Sequence, residues 1–200
     1  MSQHIDKLKE IGFLPLSKER YLEIMSNEPF EFSKEMAEYH WLIYDGDITL
    51  EPEYIKYFSG ICVLITGDLI INGILDYQDR SGMFVLGDVC AQNIFLSSSY
   101  CYFGGTTTFG EVMLIMGGSG APVHIENPKG ILLYTDSDAA LIKPNKEHVQ
   151  VCVDYSYDES FGDESSILQD EFITVDEDGE TCIESTDIYD AVMAGRNVIK

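Results

Sequence analysis

Residues 63–73 read VLITGDLIING and residues 83–93 read MFVLGDVCAQN, so two apolar runs are each interrupted at the same place by Gly-Asp. Residues 44–50 (YDGDITL) carry a third copy, and residues 100–108 (YCYFGGTTT) and 133–139 (LYTDSDA) carry weaker ones. The corners of these repeats are predicted at Gly46, Gly67, Gly87, Gly104 and Thr135. Short strands and glycine turns repeated about every 20 residues are typical of a β-solenoid, whose coils stack and share one core.

Alternation within the runs predicts which side chains face the interior of the coil. The predicted interior positions are Val63, Ile65, Leu69 and Ile71 in one repeat and Val85, Val89 and Ala91 in the next. The opposite phase is more polar, although Leu64, Ile70 and Leu86 are exceptions. These exceptions indicate an outer surface that is partly covered, with the N-terminal helices as the candidate cover.

The predicted fold is mainly β: a single-stranded right-handed β-solenoid, similar to a β-helix, with flanking segments at both ends. Residues 1–40 form an N-terminal helical cap, residues 41–150 form the solenoid, and residues 151–200 form an acidic α+β segment. An antiparallel sandwich or meander remains an alternative, because it also contains many short strands with turns.

Serine caps and helical spacing predict three short N-terminal helices, beginning after Ser2, Ser17 and Ser33. Residues 116–129 contain three glycines and two prolines and are predicted to form a loop.

The C-terminal segment is predicted to contain a hairpin and a short helix. Strands at residues 172–175 and 181–183 flank an acidic turn. A helix over residues 187–194 would be capped by Thr186 and closed by Gly195. Residues 154–169 are acidic and serine-rich, which predicts a mobile surface segment.

Acidic residues repeat at the predicted corner, where Asp47, Asp68, Asp88 and Asp136 each follow the turn. Neighbouring coils lie about 4.8 Å apart, so stacked carboxylates repel one another unless they are solvated or paired. We expect these carboxylates to accept hydrogen bonds from backbone amides, as Asp commonly does at turns.

The charge of the chain restricts its partners. The sequence has 12 basic and 35 acidic residues, for a net charge of −23, and residues 151–200 alone contain 2 basic and 14 acidic ones. Such a protein repels nucleic acid and anionic membranes, and it attracts basic proteins. It has no apolar run long enough to span a membrane and no signal-peptide core, so a soluble, cytoplasmic protein is expected.

No pattern in the sequence indicates catalysis, and we predict no catalytic residues, no metal and no cofactor. The five cysteines form no CxxC pair, and the four histidines lack metal-ligand spacing. The serine in Gly117–Gly120 lacks the strand, elbow and helix of a nucleophile motif. Residues 176–180 resemble half of a calcium loop, but they fit a hairpin turn better.

The runs YDGDITL, VLITGDLIINGIL and MFVLGDVCAQNIF resemble the repeats of bacterial Gly-Asp-rich β-solenoids related to the bactofilin-like, polymer-forming group. They are more similar to small solenoids identified as polymorphic-toxin immunity proteins. The resemblance covers residues 41–142; Gly104-Gly105 lacks the Asp and Thr135-Asp136 lacks the Gly. It implies a non-catalytic bacterial immunity protein of contact-dependent inhibition systems, which neutralises a toxin by blocking its cleft.

The expected partner is a basic toxin domain that attacks nucleic acid, because such enzymes need basic clefts. We predict a monomer or small oligomer that binds neither nucleic acid nor membrane directly. Aromatic side chains among acidic ones predict the contact surface. The predicted partner-binding residues are Tyr155, Tyr157, Asp158, Glu159, Phe161, Asp163 and Glu164. Two alternatives remain open: a self-assembling structural scaffold and an acidic DNA-mimic regulator.

Overall fold

The computed structural model describes residues 2–29, 33–78, 81–97, 99–117, 122–138, 140–155, 160–175 and 181–200. The helices are α1 (Ser2–Glu10), α2 (Lys18–Met25), α3 (Ser33–Met36) and α4 (Ser185–Met193). The strands are β1 (Leu14–Leu16), β2 (Trp41–Tyr44), β3 (Ile48–Leu50), β4 (Cys62–Ile65), β5 (Leu69–Ile71), β6 (Ile74–Tyr77), β7 (Gly82–Val85), β8 (Val89–Ala91), β9 (Asn93–Ser97), β10 (Tyr100–Phe109), β11 (Val112–Met116), β12 (Val123–Thr135), β13 (Ala140–Ile142), β14 (Val149–Asp154), β15 (Ile173–Val175) and β16 (Thr181–Ile183). Short 3-10 turns lie at Pro52–Phe58, Glu164–Ser166 and Asp170–Phe172.

The strands from β2 to β14 wind into a coil with three faces, and equivalent strands of successive coils pair in parallel. The first face stacks β2, β4, β7, the start of β10, the start of β12, and β13. The second stacks β3, β5, β8, the end of β10 and the middle of β12. The third stacks β6, β9, β11, the end of β12, and β14. The predicted β-solenoid is confirmed, and the antiparallel alternative is wrong because the coils pair in parallel.

The interior of the coil is apolar, as the alternation predicts. Val63, Ile65 and Leu69 are fully buried in one continuous core with Val85 and Val89 of the next coil. Each coil has too little apolar surface to form a core alone, so stacking supplies the buried area that stabilises it.

Helices α2 and α3 cover the outer side of the first face, whereas Leu8 of α1 packs with the interior core. Tyr21 and Met25 of α2 pack with Leu64 and Phe84, and the Tyr21 ring stacks on Trp41 with centroids 4.7 Å apart. The helix after Ser17 is confirmed, since Ser17 Oγ accepts a hydrogen bond from the Arg20 amide.

The exceptions to the polar phase have two different explanations. Leu64 is fully buried under the N-terminal helices, and Leu86 packs against the same cluster, so the predicted cover is confirmed for both. Ile70 is not covered: it lies on the second face and remains 42% exposed.

The acidic C-terminal segment covers the outer side of the third face. Ile188 and Val192 of α4, together with Leu168, form a second apolar cluster with Leu114 and Leu132. The predicted mobile surface segment at residues 154–169 is therefore wrong at Leu168, which is fully buried, and at Asp154, which is also buried. Apolar side chains spaced among acidic ones bring this segment onto the coil.

The predicted C-terminal hairpin is confirmed, but the predicted cap of the C-terminal helix is wrong. The predicted hairpin is confirmed by the antiparallel pairing of β15 with β16; its turn, residues 176–180, lies outside the described residues. The helix begins at Ser185 after Glu184, so Thr186 is not its cap, whereas Gly195 closes it in a left-handed conformation with φ of 73°.

The predicted loop at residues 116–129 is wrong for residues 123–129. These residues belong to β12, whose start pairs with β10 on one side and β13 on the other. Pairing on both sides satisfies the backbone polar groups and outweighs the glycine- and proline-rich composition. Residues 118–121, which include part of the Gly117–Gly120 motif, lie outside the described residues.

Chain segments from outside the repeats pair with both end coils. At the first coil, β1 pairs antiparallel with β2. At the last coil, Phe161 and Cys152 exchange two backbone hydrogen bonds of 2.8 Å, and the Phe161 ring packs against the interior core. A strand edge that is already paired in this way does not readily pair with a strand of another molecule.

We expect Val85→Asp to destabilise the protein by several kcal/mol, because it places a carboxylate in the fully buried core. Asp68→Asn is the control at the corner of the coil, since an asparagine retains an oxygen that can accept the same hydrogen bond. Urea unfolding measures both free energies. Equal losses in the two variants would contradict the assignment of inner and outer positions.

Candidate functional site

The second face of the solenoid is the side on which none of the described helices packs. Its outward row runs across the coils as Thr49, Ile70, Cys90, Thr108 and Lys129, in the order given by the parallel register. Thr49, Cys90 and Lys129 are exposed, as is Ile70. We refer to this row and its two acidic margins, described next, as the bare face.

One margin of the bare face is a ladder of aspartates. Asp47 Oδ1 accepts a hydrogen bond from the Asp68 amide at 2.9 Å, and Asp68 Oδ1 accepts one from the Asp88 amide at 2.8 Å. Asp88 Oδ1 accepts a bond of the same length from the Thr106 amide. The predicted bonding of these three carboxylates to backbone amides is confirmed, and it fixes one oxygen of each.

At Gly67, Gly87 and Gly105, glycine is required by close packing between coils. The Gly87 amide donates to the Gly67 carbonyl at 3.2 Å, and the Gly105 amide donates to the Gly87 carbonyl at 3.1 Å. A Cβ atom on Gly105 would lie 2.5 Å from Asp88 Oδ1 and 2.5 Å from the Gly87 carbonyl oxygen. No side chain fits at that distance, so these corners accept only glycine.

Two predicted corner positions are wrong. Gly105, not Gly104, stacks on Gly87, because β10 carries an irregularity between Phe103 and Thr106. Thr135 lies at the end of β12 on the third face, paired with Ile115 and Asp154. Asp136 therefore follows a different corner, where its Oδ1 accepts a hydrogen bond from the Gly117 amide.

The other margin of the bare face combines glutamates with amides. Asn72 Nδ2 donates to Glu51 Oε1 at 2.7 Å, and Gln92 Nε2 donates to Glu111 Oε1 at 2.9 Å. Carboxylates therefore border the outward row on both sides, and Lys129 is the cation within that row. The resulting negative potential attracts cationic groups of a partner.

The described residues of the predicted contact segment do not lie on the bare face. Tyr155 follows β14, is 56% exposed, and lies edge-on to Tyr134 with ring centroids 5.6 Å apart. Burial raises the pKa of Tyr155 and raises that of Tyr134 to about 12. Tyr157, Asp158 and Glu159 lie outside the described residues.

The remaining predicted contact residues have contacts within the chain. Phe161 is half-buried at the last coil, with Lys146 Nζ 5.2 Å from its ring centroid. Asp163 Oδ1 accepts hydrogen bonds from the Ser165 amide and hydroxyl, and the Glu164 carbonyl accepts one from the Leu168 amide. Phe161 thus packs at the end of the coil, while Asp163 and Glu164 belong to the 3-10 turn that follows.

The outward row of the bare face was not predicted as a site from the sequence. The available signal was Ile70, an apolar residue in the polar phase of its strand. An exposed apolar position on one face and a covered one on another give the same pattern, so the sequence could not distinguish Ile70 from Leu64.

Within the described ranges, no group of three or more His, Cys, Asp and Glu residues is placed to hold a metal ion. None of the helices described is long and apolar enough to cross a membrane.

No protein-family model matches this chain, and neither a curated protein nor a solved structure is significantly similar to it.

We expect Gly105→Ala to destabilise the protein by about 3 kcal/mol, because the added methyl group overlaps the neighbouring coil. Gly104→Ala is the matched control, since its Cβ would lie 3.0 Å from the Tyr102 hydroxyl and 3.2 Å from a carbonyl oxygen. The control should lose at most about half as much. Thermal unfolding compares them, and a larger loss in Gly104→Ala would contradict the placement of the corner.

Proposed function

We propose that this chain is a non-catalytic binding protein for a basic protein partner, with the bare face as its main contact surface. The observation that carries the proposal is the uncovered face itself, bordered by carboxylates on both margins. Helices α2 and α3 cover the first face and α4 covers the third, whereas none of the described helices packs on the second.

Fixed carboxylates favour binding for a second reason. The carboxylates of Asp47, Asp68 and Asp88 are bonded to backbone amides and lose little conformational freedom when a partner binds. Ile70 and Cys90 supply a less polar strip between the charged margins. An apolar centre with a charged rim is the arrangement expected of a protein interface.

The more specific proposal is that the partner is the basic domain of a bacterial toxin that attacks nucleic acid. The likeness of the Gly-Asp repeats to those of toxin immunity proteins supports it, as does the net charge of −23. In this role the protein acts in the cytoplasm and blocks the basic cleft of the toxin. Assembly into filaments is disfavoured because one strand of each end coil pairs with a segment of the same chain and because the subunits repel one another.

Growth rescue tests the toxin proposal. We expect a basic domain encoded beside this chain's gene to arrest bacterial growth when it is expressed alone, and coexpression of this chain to restore growth. Persistent arrest at equal expression of both proteins would contradict the proposal, as would the lack of a basic domain in the adjacent reading frames.

Binding kinetics with that domain test the surface. The triple variant Asp47→Asn, Asp68→Asn, Asp88→Asn keeps an acceptor oxygen at each position and removes three charges from the bare face. We expect its association rate to fall several-fold at low salt, where electrostatic attraction acts over about 30 Å. Stopped-flow measurements across a salt series give the rates.

The matched control removes the same number of charges from the segment predicted from sequence, as Asp158→Asn, Asp163→Asn, Glu164→Gln. Its association rate should change less than that of the triple variant of the bare face. The reverse order would place the interface on that segment, and a wild-type rate that is independent of salt would contradict electrostatic attraction.

A further inference from the structure

A cavity of about 470 Å³ lies on the first face, beside Pro29, which follows α2. Its apolar lining includes Pro29, Leu141 and Ile142, and its polar lining includes His124, Glu126 and Lys143. Leu141 remains 42% exposed, although it continues the outward row that is buried in earlier coils at Leu64 and Phe84. The described N-terminal helices cover the start of this row and leave its end open.

Contacts with neighbouring side chains fix the positions of His124 and Glu126 on the polar side of this cavity. His124 Nε2 and Glu126 Oε1 lie 2.7 Å apart, and the His124 ring packs edge-on against Tyr102 with centroids 5.4 Å apart. The buried Tyr102 donates its hydroxyl hydrogen to Glu28 Oε2 at 2.6 Å. Burial, together with this bond to Glu28, raises the pKa of Tyr102. Two carboxylates are therefore fixed around the same pair of rings.

Glu126 also connects the cavity to the bare face. It follows Ile125 of the first face and precedes Asn127, which pairs with Thr106 on the second face. Glu126 therefore turns the corner that Gly104 and Gly105 turn in the preceding coil. A partner bound to the bare face can reach the cavity around this corner.

We propose that the cavity receives an arginine side chain of the basic partner, with the guanidinium group at Glu126; this inference rests on the proposed function. The apolar lining suits the aliphatic stem of arginine, and its planar guanidinium pairs with carboxylates through two hydrogen bonds. Lys143 is exposed to solvent, whereas Glu126 is partly buried at the cavity, so a cationic side chain is the better match there. Arginine is also enriched among the residues that dominate binding energy at interfaces.

Binding of N-acetylarginine amide to the full-length protein tests the pocket without the partner. At millimolar concentration of this probe, we expect NMR shifts at the Leu141 and Ile142 methyl groups. N-acetylcitrulline amide, which has nearly the same shape and no charge, should shift them at least fivefold less.

Two variants locate the interaction. Glu126→Gln should weaken arginine binding at least fivefold, whereas Glu147→Gln, which removes an equal charge from an exposed position of the last coil, should not. Leu141→Ala, at an exposed position, should also weaken binding because it shortens the apolar wall. Glu126→Gln should in addition speed dissociation of the basic partner.

Each contrary result has a distinct meaning. Equal binding of the citrulline probe, or of N-acetylnorleucine amide, would show an apolar pocket without charge recognition and would overturn the inference. Tighter binding of N-acetylglutamate amide would overturn it in favour of an anion site. If the wild-type protein binds the basic partner but not N-acetylarginine amide, only this inference is overturned. If it binds N-acetylarginine amide but not the basic partner, the proposed function is overturned.

Discussion

The hydrogen bond from the amide of one coil to the aspartate carboxylate of the preceding coil is the interaction on which the arrangement of the solenoid depends. It occurs three times, at Asp47, Asp68 and Asp88, and it turns charges that would repel one another into acceptors for backbone groups at an exposed corner. At Asp68 and Asp88 the same corner brings successive backbones so close that glycine is required beside the aspartate. The Gly-Asp dipeptide therefore determines how closely successive coils pack, and it places negative charge along one margin of the second face.

The two flanking segments decide which faces of the coil remain available. The N-terminal helices place aromatic and methionine side chains on the first face, and α4 with its preceding turns does so on the third. Among the described residues, no helix covers the second face, and a cavity lies at the end of the first, where Leu141 is exposed. The net charge of −23 and the fixed carboxylates are the observations that support the proposal of a basic partner.

The repeat, the inward phase and the bonding of the corner aspartates could be predicted from the sequence, because each depends on local spacing. Gly105 could not be distinguished from Gly104, since the aspartate that marks the corner elsewhere is missing there. The start of β12, residues 123–129, was missed because pairing on both sides outweighs its composition. Phe161, a predicted contact residue, packs at the last coil, and its role in binding stays a prediction. The cavity joins Pro29 to residues nearly a hundred positions later, and no local pattern connects them.

The most direct test of the corner ladder is the scalar coupling that NMR detects across a hydrogen bond, measured in uniformly labelled protein. We expect coupling between the amide nitrogen of Asp88 and the carboxylate carbon of Asp68, and equivalent couplings for the Asp68–Asp47 and Thr106–Asp88 pairs. Couplings between paired strands, such as β4 and β7, provide the reference in the same spectrum. The reference couplings without any of the three corner couplings would contradict the ladder.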